Sequence, residues 1–157
     1  MNATLIYYTH FTIGMIIALY AILVFTLDML SKAHDLDSET FKTLNERLFW
    51  TVWIGNFIVL AALLTGGYLG TPYFKLKSTW IFGKVLGYLF LAGIMGMMGT
   101  RLLKKRRNAL AANDLQQAGH LSNHIHRFAY LQLIGVLLVI GFAFSRRIFP
   151  KLILPLF

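Results

Sequence analysis

The chain has 157 residues, 57% of them hydrophobic and only 13% charged, with a formal net charge of +9 and a mean hydropathy of +0.64. No Asp, Glu, Lys or Arg falls within 5–27, 48–74, 85–100 or 128–145, and uncharged apolar stretches of roughly 18 or more residues read as transmembrane helices, which excludes soluble enzyme folds, coiled coils and disordered regulators. The absence of cysteine excludes disulfides, thiolate metal sites, iron–sulfur ligation and covalent c-type haem attachment.

Four spans are predicted, which makes the chain a single all-α domain, an integral membrane four-helix bundle. The first covers about 5–27. No basic residue precedes it and it is long for a signal h-region, so it is expected to stay as a span. A polar connector follows from Asp28 to Arg47, within which Asp37 or Ser38 is placed to cap a short helix through Glu39, Phe41, Leu44 and Leu48. The second span, about 48–70, is joined to the third by a tight connector over Thr71–Lys77, so the two are expected to be antiparallel neighbours. The third covers about 78–100 and the fourth about 127–145, and an interfacial tail is expected over 146–157.

Basic residues give the expected sidedness. Lys32, Lys42, Arg47, Arg101, Lys104, Lys105, Arg106, Arg107 and Arg127 fall on one side, against Lys75, Lys77, Arg146, Arg147 and Lys151 on the other. The richer side is expected to be cytoplasmic, with both termini extracytoplasmic. The run Arg101–Arg107 reads as a headgroup-level anchor rather than a nucleic-acid surface. Trp50, Trp53, Trp80, Tyr7, Tyr8, Tyr68 and Tyr73 suit interfacial aromatic belts. Gly66 and Gly70, then Gly83 and Gly87, have the spacing of close helix packing, and Ala92, Gly96 and Gly99 continue a small face.

Two ionisable residues lie inside predicted spans, where they are expensive and so point to function. His10 and Lys84 both enter from the same side and lie roughly 8–9 Å below it at 1.5 Å per residue. Neutral imidazole is a haem-iron ligand and a proton carrier; equally, it serves as a hydrogen-bonded packing residue. The Lys84 ammonium suits a propionate or another anionic group, and its stem also suits snorkelling. The other histidines, His34, His120, His124 and His126, fall near the opposite boundary, so two intramembrane histidine pairs are not expected. His120-x3-His124-x-His126 offers two imidazoles on one helix face, for a metal or for headgroup-level contact. Met95, Met97 and Met98 read as packing residues.

The layout resembles the HemJ-type protoporphyrinogen oxidases and the wider CopD-like set of small four-span bacterial membrane proteins. The matching residues are His10 within Tyr-Thr-His-Phe-Thr-Ile-Gly, Glu46-Arg47-Leu-Phe entering the second span, Leu63-Leu-Thr-Gly-Gly-Tyr-Leu ending it, Trp80-x3-Lys84, Arg101-Leu-Leu-Lys-Lys and Arg127. The resemblance implies haem b, with His10 as axial ligand of the iron, Lys84 as a porphyrin-side cation and Arg47 as a further cofactor-site residue. It implies oxidation of protoporphyrinogen IX, with electrons passing to the quinone or respiratory pool of a bacterial inner membrane. Where that family opens its fourth helix with Arg-x-x-Asn-Glu-x-Pro, this chain reads Arg127-Phe-Ala-Tyr130-Leu131-Gln132-Leu133. The competing expectation is a non-catalytic subunit of a larger respiratory or photosynthetic complex, or a homo-oligomer, suggested by the small size, the glycine faces and the basic connector. Metal handling and transport are weaker readings, since the intramembrane Met and His do not converge and no broken helix is evident.

Overall fold

A computed structural model describes residues 3–75 and 79–148, which are helical except for two short connectors. Helix α1 is Ala3–Lys32, α2 is Glu39–Lys75, α3 is Thr79–Gly96, α4 is Lys104–Ala111 and α5 is Leu115–Ile148. A π-helical turn, Met97–Leu103, joins α3 to α4 as one rod. Four helical rods are therefore long and apolar enough to cross a membrane, and no strand occurs among the described residues. The rods pack in the cyclic order α1, α2, α3–α4, α5, each against its two neighbours. Short connectors between antiparallel neighbours dictate that arrangement.

The end where α1 and α3 begin is called proximal here, and the end holding residues 33–38 and 112–114 distal. At the distal end Ser38 caps α2 itself, accepting from the Phe41 amide at 3.1 Å, so the predicted short helix is the first turns of α2. The α4–α5 turn follows from two local devices. Asn113 sits in the left-handed region at φ 55°. Amides of Asp114 and Asn113 bond back to the carbonyls of Ala109 and Leu110, the pattern that closes a helix end. Asp114 Oδ1 then accepts from the Gln117 amide at 2.9 Å and opens α5. At the other connector α2 continues to Lys75, while residues 76–78 and the tail beyond Ile148 lie outside the described residues.

One face of each rod fills a common core of Ile17, Val24, Val52, Val59, Leu91, Met95, Met98, Ile125 and Val136. The other faces expose large apolar side chains such as Leu19, Ile22, Leu60, Leu64, Leu86, Leu137 and Leu138. Helices that are apolar all round suit a bilayer and not water. Glycines set the approach of the rods. A Cβ on Gly87 would come within 2.7 Å of Val139, and one on Gly55 within 2.3 Å of the Tyr20 ring. Trp50, Trp53 and Phe57 stack edge to face on the outside of α2, on its distal half.

Candidate functional site

At the proximal end, α1 brings half-buried His10 against α2. A Cβ on Gly66 would stand 2.8 Å from His10 Cε1, so any larger residue there would have to displace the ring. His10 Nδ1 is 2.9 Å from Thr65 Oγ1. The Thr65 hydroxyl already donates to the carbonyls of Ala61 at 2.8 Å and Ala62 at 3.3 Å. A hydroxyl has a single proton, so when that proton goes to Ala61 the contact with His10 has Nδ1–H as donor and the threonine oxygen as acceptor. In the neutral ring that leaves the lone pair on Nε2, the atom that binds iron or accepts a proton.

Lys84, on α3, lies within electrostatic range of this ring. Arg47 does not join them. It is exposed near the start of α2, and the 18 residues separating it from Thr65 span about 27 Å at 1.5 Å per residue. His34, His120, His124 and His126 all lie towards the distal end. The donor set at the proximal site is thus one imidazole with a free Nε2 and one neighbouring ammonium. It fits a haem held by one histidine, with the cation beside a propionate, and does not fit two histidines from one chain.

The distal end holds a second polar cluster, drawn from every rod. Asp28 of α1 is 1% exposed, and its Oδ2 accepts from His126 Nδ1 of α5 at 2.6 Å. Arg106 of α4 is likewise 1% exposed. Its Nε donates to Asn45 Oδ1 of α2 at 2.7 Å and its Nη1 to Ser122 Oγ of α5 at 3.1 Å. The guanidinium lies 5.3 Å from the Phe41 ring centroid, within the attraction of Asp28, and its Nη2 has no hydrogen-bond partner. A carboxylate and a guanidinium this deep are retained only with such partners, because an uncompensated buried charge is strongly unfavourable.

Sequence reading leaves Asp28 and Arg106 in headgroup-level connectors. The π-helical turn explains Arg106. Beyond buried Met98, uninterrupted α-helical spacing would turn positions 102 and 105 inward. The structure instead buries Leu103 and Arg106, a shift of one residue, and leaves Lys105 exposed. For Asp28 one signal existed: a lone carboxylate directly after an apolar run.

The remaining residues take simpler places. His120 and His124 make an edge-to-face contact at 4.7 Å, while His126 is held by Asp28. Among the described residues no group of three or more His, Cys, Asp or Glu is gathered for a metal ion. Met95 and Met98 are core residues and Met97 is exposed. Between the two polar ends, the Tyr20 hydroxyl and the Gln132 amide are buried beside one another. Comparison with family models, curated proteins and solved structures finds no match to this chain.

Proposed function

We propose that the chain is a haem-b-associated redox protein of a bacterial inner membrane, with the cofactor at its proximal end. The observation carrying this reading is the contact of His10 Nδ1 with Thr65 Oγ1, whose hydroxyl also reaches the Ala61 carbonyl; with Nδ1–H donating to the threonine, Nε2 carries the lone pair. A hydrogen-bond acceptor on the far nitrogen is what a ligating histidine needs for fixed orientation and raised basicity. His10 Nε2 would bind the iron, Thr65 would hold the ring, and the Lys84 ammonium would offset an anionic edge of the group. The bound haem would supply one-electron chemistry. By the resemblance described above the substrate is protoporphyrinogen IX, with electrons passing to the quinone or respiratory pool. In this reading Arg47, about 27 Å from Thr65 along α2, serves something other than the same porphyrin. The basic excess at the distal end supports a cytoplasmic distal face.

The test is a visible absorption spectrum of the gently detergent-extracted chain beside a His10→Ala variant. A Soret band close to one haem per chain, lost in the variant, is the expected result and would justify porphyrinogen oxidation assays. A featureless spectrum would sink the haem reading. A non-catalytic subunit of a larger membrane assembly is then favoured by one feature: a Cβ built on Gly93 or Gly96 of α3 would meet nothing within 4 Å, which leaves a flat small-residue face beside exposed Ala92. Stable partner bands with that featureless spectrum would support it.

A further inference from the structure

The distal cluster opens into a cleft of about 330 Å³ whose lining includes Asp28, Lys32, His34, Arg106, Ser122 and Asn123. Its floor is buried, at Asp28, Ser31 and Arg106, whereas Lys32, His34 and Asn123 at its mouth are exposed. The apolar run of α1 ends here, so the mouth lies where headgroups meet water.

Three features fix the chemistry such a cleft would accept. First, the cationic groups outnumber the anionic one: Lys32 and Arg106, with His34 beside them, face the single carboxylate of Asp28. That carboxylate is already engaged, through Oδ2, by His126. Second, the guanidinium is held rigidly by Asn45, Ser122 and the face of Phe41, which leaves Nη2 as a buried charged donor without an acceptor. With Nε and Nη1 already donating to Asn45 and Ser122, Nη2 is the donor left for an oxyanion oxygen, and a guanidinium fixed in this way loses little freedom on binding one. Third, the Asn123 amide and the Lys32 ammonium at the mouth add donors at the exposed side.

We propose that this cleft is a binding site for a phosphate oxyanion, carried either by an anionic lipid headgroup or by a small phosphate from the aqueous side. The site is distinct from the proximal one: Asp28 and His10, both on α1, are 18 residues and about 27 Å apart at 1.5 Å per residue. It depends on no cofactor.

Thermal unfolding of the full chain in detergent reads the site directly, with three titrants: inorganic phosphate, dihexanoylphosphatidylglycerol, and dihexanoylglycerol as a control without phosphate. A saturable rise in Tm with a phosphate-bearing probe, and none with dihexanoylglycerol, is expected. A rise with the lipid alone assigns the headgroup as the source; a rise with inorganic phosphate at similar concentration assigns the small ligand. Lys32→Gln at the exposed mouth should weaken the response about tenfold, the loss of one charge-assisted contact. Arg106→Lys, which keeps the charge and loses the fixed Nη2 donor, should weaken it at least as much. Lys105→Gln, an exposed cation one residue away, should leave it unchanged. The proposal is overturned if neither phosphate probe saturates. It is equally overturned if Lys105→Gln weakens the response as much as Lys32→Gln, since the effect would then be diffuse surface charge. Should Arg106→Lys fail to fold, the Lys32 and Lys105 pair still decides.

Discussion

Thr65 has one hydroxyl proton, and with that proton on the Ala61 carbonyl, 2.8 Å away, the threonine meets His10 as an acceptor. That arrangement separates the roles of side chains that look alike in sequence. Thr65→Val keeps the shape and removes the acceptor; Thr65→Ser keeps the acceptor. If His10 ligates haem iron, Thr65→Val should lower haem retention by about 10- to 100-fold, the usual effect of losing a ligand's outer partner. Thr65→Ser should retain it, and the ratio of Soret to protein absorbance reads both. Equal retention in Thr65→Val would mean that the hydroxyl does not orient the ring. The sequence does place His10 and Lys84 near the same end of two apolar helices, because that follows from position along a helix. It does not reveal the Thr65 contact, which joins residues 55 apart, nor Gly66 as a seat for the imidazole and not a generic small residue.

Apolar periodicity locates the four helices, but their ends and their rotation come from other forces. Helix α2 begins at Glu39, well before its uncharged stretch, because Ser38 caps it and the extension buries Phe41 and Asn45 against α4 and α5. Apolar-run arithmetic ends where hydrophobicity ends, whereas a capped amphipathic extension needs only one packed face. The π-helical turn has no comparable signature in composition, and it decides which residue of the basic run turns inward. The α4–α5 turn is more legible, since Asn-Asp between helices supplies both the left-handed residue and the next cap. At φ 55° Asn113 occupies a conformation that glycine adopts freely and β-branched residues resist. Asn113→Gly should therefore be neutral or slightly stabilising. Asn113→Val should cost about 1–2 kcal/mol, the usual penalty for a left-handed residue with a Cβ. Unfolding midpoints of the two variants in one detergent would check this, and a Val variant as stable as the parent would mean that the turn relaxes.

Across the whole molecule the two polar ends differ in what they tie together. The proximal contacts link α1 to α2 and set α3 beside them, whereas the distal cluster joins α1 to α5 through Asp28–His126 and α2 to α4 and α5 through Arg106. Removing one partner of a buried hydrogen-bonded pair leaves the other unsatisfied. Asp28→Leu alone should destabilise the bundle by about 3–5 kcal/mol, because it removes the carboxylate that attracts the buried Arg106 guanidinium as well as the contact with His126, and adding His126→Leu should recover only the His126 part of that loss. Additive losses would show that the two side chains contribute independently.

Sidedness belongs to the same scale, since one orientation assigns both sites at once. The distal end carries the greater share of basic residues, and such excess is retained on the cytoplasmic face during insertion. The chain has no cysteine, so single thiols can be introduced without background. Asp35 and Thr71 are exposed at the distal and proximal ends, respectively. In intact bacterial cells a membrane-impermeant maleimide should label Thr71→Cys at once and Asp35→Cys only after permeabilisation. That outcome would open the oxyanion cleft to the cytoplasm and put the His10 site within about 11 Å of the outer surface, given seven residues of α1 above it. The reverse labelling pattern would invert both assignments together, because their separation along α1 is fixed by the helix and not by the membrane.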